Sequence, residues 1–435
     1  MTKKLNAHQF RGIVTALPPD KSISHRAALI GALSTGETRI DNFSAGEDNQ
    51  STLSALTQLG VSIRQDISST RTVFIRSNGL FDLKPSPTPI ECHNSGSTMR
   101  MLSGILAAQP FRSTLIGDAS LMKRPMKRIA IPLSQMGAQI ELSASDTAPI
   151  HIQGKKPLSP IAYQTPVASA QVKSCVIFAA LHADGISEIS ESIQTRNHTE
   201  AMLGLVNPDS PEKPDTIKVH GLKALEAKSF FIPSDASASC FLVALALLSQ
   251  SPELVLKDVC LNPTRTGFLT ILEQVGAHIQ TDNVRTIGGE KIGDLVCANL
   301  SLEQPLRISD KALIANAIDE LPMLAVLSAL ATDEFELHNA EELRTKESDR
   351  IAALVLNLQA MGFLCETFQD GFVVKGRQPI SNKKIHIQTF NDHRIAMSFG
   401  IARYFCDADL ELDNPDCAAV SFPNFFGLIE SLKQN

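Results

Sequence analysis

One pattern recurs six times along this chain: a short polar or charged segment that opens an apolar helix. It reads Asp20-Lys21-Ser22-Ile23-Ser24-His25-Arg26 before AALIGAL, Asn94-Ser95-Gly96-Ser97-Thr98-Met99-Arg100 before MLSGILA, and Ala168-Ser169-Ala170-Gln171-Val172-Lys173 before SCVIFAAL. It continues as Ser234-Asp235-Ala236-Ser237 before ASCFLVALALL, Asp319-Glu320 before LPMLAVLSAL, and Asn391-Asp392-His393-Arg394 before IAMSFGIA. With Ser24, Thr98, Ala170, Ser237, Leu321 and His393 as markers, the spacings are 74, 72, 67, 84 and 72 residues, so the repeat tiles all 435. A repeat of this kind dictates the architecture before any single element is placed.

Each apolar helix is followed by a polar turn and a strand, as in STGETRIDNF and ATDEFELHNA. A second helix follows and ends in apolar residues and a Gly, as in LTQLGVSI, LSQMGAQIEL, LEQVGAHIQT and LQAMGFLCET, with a weaker copy at MLGLV. Gly60, Gly137, Gly204, Gly276 and Gly362 thus stand where a helix commonly stops in the left-handed conformation. The unit reads strand–helix–strand–helix–strand with one further short strand, which predicts an α/β protein of repeated units.

The helix starts also carry chemistry. A helix N-terminus offers free amide donors and a partial positive charge, a ready site for phosphate or carboxylate. Ser, Thr, Asp and Asn at these positions are explained by capping alone. Lys21, Arg26, Arg100 and Arg394 are not, because cations there oppose the helix dipole unless an anion binds between them. Six such ends point to a small, highly anionic substrate set.

Bulk properties narrow the class. A net charge of −6 leaves no basic footprint for nucleic acid, and the absence of Trp removes the best base-stacking residue. The first residues, MTKKLNAHQFRG, contain no apolar run of the signal-peptide kind, and CFLVALALL is too short to span a bilayer. Eight scattered Cys without a CxxC pair read as buried, reduced thiols of a cytoplasmic protein. A monomer is the expected state.

Four segments are specific enough to carry a resemblance: Asp20 to Ala27, Asn94 to Arg100, Gly117-Asp118-Ala119-Ser120-Leu121-Met122-Lys123-Arg124-Pro125-Met126, and Arg344-Thr345-Lys346-Glu347-Ser348-Asp349-Arg350. Ala168 to Ser174, Asn262-Pro263-Thr264-Arg265-Thr266-Gly267 and Asn391 to Arg394 extend it. In this order they resemble the 5-enolpyruvylshikimate-3-phosphate synthases from about residue 11 onward. The resemblance implies two similar domains, each of three βαβαββ units (an inside-out α/β barrel). The first would span 20–233 and the second 1–19 plus 234–435, with hinges near 18–20 and 233–235.

The reaction implied by the resemblance moves the enolpyruvyl group of phosphoenolpyruvate to the 5-hydroxyl of shikimate 3-phosphate and releases phosphate, a step toward chorismate and the aromatic amino acids. It runs by addition and elimination through a tetrahedral intermediate, with no metal or organic cofactor. By resemblance, shikimate 3-phosphate would meet Lys21, Ser22, Arg26, Ser169, Ala170, Gln171, Arg196, Asp319 and Lys346. Phosphoenolpyruvate would meet Lys21, Gly96, Arg124, Gln171, Arg350 and Arg394, and glyphosate would compete for that site. Two carboxylates and an amine in one charged pocket suit the proton transfers; Asp319 is assigned as base toward the 5-hydroxyl, and Glu347 and Lys21 as its partners.

Blander readings stand beside these. Asp319 could cap the following helix, Glu347 and Arg350 could be a surface ion pair three apart on a helix, and Arg124 could belong to a solvated face. His25, His93 and His198 read as packing or hydrogen-bonding residues. Some positions depart from the family pattern: Pro19 and Ser234 replace hinge glycines, Asn197 replaces an Asp beside Arg196, and Val420-Ser421-Phe422-Pro423 lacks a Lys. The rival readings are an enolpyruvyl transferase acting on UDP-N-acetylglucosamine, whose loop Cys is missing between Gly117 and Pro125, and a non-catalytic protein that only binds shikimate 3-phosphate.

Overall fold

The computed structural model describes residues 9–66, 71–207, 216–249, 253–298, 302, 304–380 and 383–434. The chain forms two compact units. The first comprises Pro19–Pro233 with Thr286–Lys291, and the second Met1–Pro18, Ser234–Arg285 and Ile292–Asn435. Sequence alone assigns 234–435 wholly to the second domain; the turn at Thr286–Lys291, between two long strands, belongs instead with the first unit.

The first unit carries helices α1 (Lys21–Leu33), α2 (Glu47–Gln58), α3 (Gly96–Leu106), α4 (Lys127–Gln135), α5 (Ala170–Ala180) and α6 (His198–Met202). Its sheets share one plan, in which an entry strand lies parallel to a central strand whose other edge takes an antiparallel partner. Ile90–Glu91 runs parallel to Arg112–Ile116, which pairs antiparallel with Ile150–Gln153, and Gln139–Glu141 completes the row. Ala162–Thr165, Ile186–Glu191 and Ile217–His220 repeat it without a fourth strand among the described residues. In the first repeat the entry role falls to Leu225–Glu226 and Ser229–Phe231, which pair parallel with Ser34–Asp41. The end of the unit therefore closes onto its beginning.

The second unit carries α7 (Ala236–Leu248), α8 (Gly267–Gln274), α9 (Lys311–Ala317), α10 (Leu321–Ala331), α11 (Arg350–Ala360), α12 (His393–Ala402) and α13 (Phe425–Leu432). Here the N-terminal strand Arg11–Val14 supplies the entry position, parallel to Glu253–Cys260. Leu306–Ile308, Glu334–Leu337, Phe372–Lys375 and Leu364–Thr367 form the second sheet on the same plan. Among the described residues the last repeat keeps only the parallel pair Lys384–Ile387 and Asp409–Leu412, and α13 follows where a hairpin would stand. At the points where the chain passes from one unit to the other, the Asp20 N–H bonds Pro233 O at 2.9 Å and the Asp235 N–H bonds Pro18 O at 2.8 Å.

The apolar helices of the repeat form the inside of each unit. All thirteen residues of α7 are buried, and α10 is buried through Leu330. A helix apolar on every side has no face for water and must be enclosed. Small residues let these helices close up: a Cβ on Gly104 of α3 would lie 2.1 Å from the Cys175 carbonyl oxygen of α5. The second helices α2, α4, α8 and α11 are one-sided, whereas α6 is wholly buried; Gly60, Gly137, Gly204, Gly276 and Gly362 follow their helices at φ between +71° and +102°. All eight Cys are unpaired; seven are buried and Cys365 is partly so. Among the described residues no single helix is long and apolar enough to cross a membrane.

Candidate active site

The helix starts behave as capped N-termini, and the caps gather the charged residues. Asp20, Ser95, Ser169, Asp235 and Asp392 each accept a hydrogen bond from a backbone N–H of the helix they open. In α10 the cap position is Glu320, which makes no such bond. Asp319 lies one residue before that cap position.

In the first unit the N-terminal turns of α1, α2, α3 and α5 meet. A chain of hydrogen bonds runs from His25 Nδ1 to Thr52 Oγ1 (2.7 Å), to Thr98 Oγ1 (2.6 Å) and to Ser95 Oγ (2.7 Å), locking α1, α2 and the cap of α3 together. Gln171 of α5 donates to Ser97 Oγ at 2.9 Å and accepts from Arg100 Nη1 at 2.6 Å. Lys21, the first residue of α1, places its ammonium 4.0 Å from Asp48 of α2. Ala170 follows the Ser169 cap as the first residue of α5. Arg124, half-buried in the loop before α4, donates to Asn94 Oδ1 at 2.5 Å. It is thus tethered beside the start of α3 rather than lying on a solvated face.

Gly96 opens α3 between two guanidinium groups. A Cβ there would stand 3.0 Å from Arg100 Nη1 and 3.3 Å from Arg124 Nη1. A methyl group would press on the cations themselves, not only on a ligand. Burial pushes Arg100 down to about 10, and the nearby Arg128 and Arg124 charges add to it. Like cations held this close favour an anion among them.

Arg26 is buried, and three of its nitrogens are engaged. Nε donates to Thr199 Oγ1 (2.8 Å), Nη2 to Ser174 Oγ (2.9 Å) and Nη1 to the Ser22 carbonyl (2.9 Å). Burial lowers its pKa to about 10, against the opposing pull of Glu200, while Arg196 lowers it further.

The second unit gathers Asp319, Glu347, Arg350 and Arg394. Arg350, only 1 % exposed, reaches Asp392 Oδ2 at 2.8 Å, Glu347 Oε2 at 2.5 Å and Asp319 Oδ1 at 3.4 Å. Burial works against its charge, but Glu347, Asp392 and Asp319 outweigh burial and raise its pKa. Asp392 in turn would be raised by burial, yet the Arg350 charge holds it below the usual carboxylate range. Arg394 donates to the Asp319 carbonyl at 2.7 Å and stands 3.6 Å from its carboxylate. Asp319 therefore sits between two guanidinium groups.

One expectation changes here. Glu347 and Arg350 do not share a helix, since α11 begins at Arg350 with Asp349 as its cap; their pair is half-buried, not a surface pair. Lys346, expected with the others, bonds Glu342 Oε1 at 2.9 Å. Of the catalytic assignments, Lys21 belongs to the first unit and Asp319 and Glu347 to the second.

Sequence reasoning passed over several participants. Asp392 is read as part of a helix start, and only the fold shows it as the main partner of Arg350. Glu320 is buried; burial raises its pKa, Arg265 and Arg394 pull it down, and the Ser237 hydroxyl bonds it. His25 and His198 are buried hydrogen-bonding residues as expected. His93 instead is exposed at φ +49°.

The buried His25 makes stability depend on acid. Burial, with the Arg26 and Lys21 charges, lowers its pKa from 6.5 to about 3. The unfolded chain therefore binds the proton first, so the neutral ring's contribution is intact above pH 6.5 and is lost as pH falls toward 3. At pH 5 the loss is set by the unfolded value and comes to about 2 kcal/mol. His25→Gln is expected to lose about 2 kcal/mol less than the parent between pH 7 and pH 5 in urea unfolding. Equal losses would mean that His25 is protonated in the folded protein.

Inner helices whose charged starts gather within each unit, together with small mixed sheets, are features of the enolpyruvyl transferase fold. The solved enolpyruvyl transferase NikO from Streptomyces tendae shares this fold, with a TM-score of 0.72 over 99% of this chain and 97% of that one, at 13% identity. The chain belongs to the EPSP synthase (3-phosphoshikimate 1-carboxyvinyltransferase) family, whose model matches residues 6–429. It is 59% identical to the 3-phosphoshikimate 1-carboxyvinyltransferases of Chlorobaculum tepidum and Chloroherpeton thalassium, over 98% of this chain and 99% of each relative. The solved EPSP synthase from Acinetobacter baumannii is 38% identical, with a TM-score of 0.89 over 99% of this chain and 97% of that one.

Proposed function

We propose that this chain transfers the enolpyruvyl group of phosphoenolpyruvate to the 5-hydroxyl of shikimate 3-phosphate and releases phosphate. The observation that carries the reading is Asp319, a carboxylate just before α10 and flanked by Arg350 at 3.4 Å and Arg394 at 3.6 Å. A base among fixed cations is what deprotonating a hydroxyl beside anionic substrates calls for.

In the addition step Asp319 accepts the 5-hydroxyl proton as that oxygen bonds C2 of phosphoenolpyruvate. A proton goes to the methylene carbon, Glu347 and Lys21 being our assigned proton-transfer partners, and a tetrahedral phosphate-bearing intermediate results. In the elimination step the new methyl group returns a proton, the carbon–oxygen bond to phosphate breaks, and the enol ether and inorganic phosphate remain. Lys21, Ser22, Arg26, Ser169, Ala170, Gln171, Arg196, Asp319 and Lys346 are our assignment for shikimate 3-phosphate. Lys346 would exchange Glu342 for the ligand. Lys21, Gly96, Arg124, Gln171, Arg350 and Arg394 are assigned to phosphoenolpyruvate, where glyphosate would compete. Arg is suited to such anions because its planar fork pairs carboxylate and phosphate with two bonds. We take the protein to be a cytoplasmic monomer.

Phosphate release measured with phosphoenolpyruvate and either shikimate 3-phosphate or UDP-N-acetylglucosamine tests the reading. Release with the first acceptor alone is expected. Release only with the second, or binding of shikimate 3-phosphate without release, would replace it with one of the rivals.

Arg124→Ala is expected to lower kcat/KM for phosphoenolpyruvate by about 30-fold to several thousand-fold, because losing a charge-assisted bond to a desolvated anion costs roughly 2–5 kcal/mol. Its half-exposed side chain, bonded to Asn94, adds little to folding, so the urea midpoint should hardly move. Turnover within threefold of the parent would remove Arg124 from the site.

A further inference from the structure

A second buried ionic cluster lies in the first unit, outside the residues assigned to either substrate. Lys173, the fourth residue of α5, has a side chain only 1% exposed. Its ammonium meets Glu191 Oε1 at 2.8 Å, Glu200 Oε1 at 2.7 Å and the Thr195 carbonyl at 3.4 Å. The Glu191 and Thr195 contacts are hydrogen bonds, and Glu200 is held as an ion pair.

The three partners come from one stretch of chain. Glu191 ends the strand Ile186–Glu191 and Glu200 lies in α6, with Thr195 in the segment between. Glu191 binds this segment as well, accepting the Thr195 N–H at 3.0 Å and its hydroxyl at 2.7 Å. The next residue is Arg196. α6 has five residues and cannot hold its own place by helix formation, since so short a helix is unstable alone. Lys173 therefore clamps both ends of the segment that carries Arg196.

The clamp reaches Arg26 as well. Ser174, next to Lys173, and Thr199, next to Glu200, bond each other at 2.7 Å and both receive the Arg26 guanidinium. The two pieces of chain that Lys173 joins are thus the two that hold Arg26. Without Lys173, two buried carboxylates would face each other and the pieces would part.

We infer that Lys173 is a positioning residue for the phosphate of shikimate 3-phosphate, acting through Arg196 by clamping the 191–200 segment to the start of α5. The inference rests on the proposed reaction and adds to it a residue that touches neither substrate.

Calorimetric titration of shikimate 3-phosphate, with KM measured for each substrate, tests it on K173M, R196A and K173M/R196A. K173M should weaken shikimate 3-phosphate at least tenfold in Kd and KM while KM for phosphoenolpyruvate stays within threefold. In the R196A background the same change should cost clearly less than in the parent, because one of the two residues the clamp holds is gone and only Arg26 remains. The variant K173M/E200Q keeps the net charge of the cluster and covers the case in which K173M does not fold; a loss of at least threefold is expected there. A folded variant that binds shikimate 3-phosphate within threefold of the parent would overturn the inference, as would effects of K173M and R196A that multiply in full. If the parent binds shikimate 3-phosphate but releases no phosphate, the reaction reading falls and the binding comparison still decides the role of Lys173.

Discussion

Asp319→Asn is expected to lower kcat by about 10²–10⁴-fold, the range for a lost general base, while shikimate 3-phosphate still binds. The amide keeps the size and most of the hydrogen bonding of the carboxylate. It also leaves Arg350 and Arg394 with one fewer internal anion to satisfy, which favours an anionic ligand. Asp319 lies one residue before the cap position of α10, Glu320. Rapid-quench turnover with a parallel titration of shikimate 3-phosphate separates the two effects. Near-parental kcat would remove Asp319 as the base, and a large loss of binding with kcat intact would make it a binding residue.

Arg350→Met is expected to cost about 3–5 kcal/mol of folding stability, the usual penalty for breaking a buried ion pair from one side. The size of the effect follows from the partners. Asp392 is fully buried, and Asp319 and Glu347 converge on the same guanidinium. Their mutual repulsion would go unanswered. Because burial already opposes the charges, acid should partly rescue the variant: protonating the orphaned carboxylates relieves the repulsion, so its deficit should shrink from pH 7 toward pH 5. Urea unfolding at the two pH values measures both. A variant as stable as the parent would mean that the three carboxylates find other partners and that the cluster does not hold the second unit together.

The repeat, the helix starts and the glycine stops were legible in the chain because each is a local matter. A cap lies within a few residues of the amide it serves, as Asp20 does to Ile23 and Ser95 to Thr98, and Gly at a helix end meets its own φ. The family motifs are local in the same sense, so the candidate residues could be named. What pairs with what was not legible. Arg350 and Asp392 lie 42 positions apart, and Arg26 meets Ser174 and Thr199 across the whole first unit. Lys173 stood in a quoted motif, but nothing in its neighbours marks Glu191 and Glu200 as its partners. The same blindness produced the helical reading of Glu347 and Arg350: a spacing of three suits a helix, and only the Asp349 cap shows that the helix starts after Glu347.

The most direct test of the proposed reaction is phosphorus NMR of the protein mixed with shikimate 3-phosphate and phosphoenolpyruvate. Both substrate signals should fall together, with inorganic phosphate and a single new phosphate monoester, the enolpyruvyl ether of shikimate 3-phosphate, rising one for one. Phosphate without the new monoester would show hydrolysis of phosphoenolpyruvate rather than transfer, and an unchanged spectrum at catalytic concentration would leave the protein a binder of these anions; either result contradicts the account.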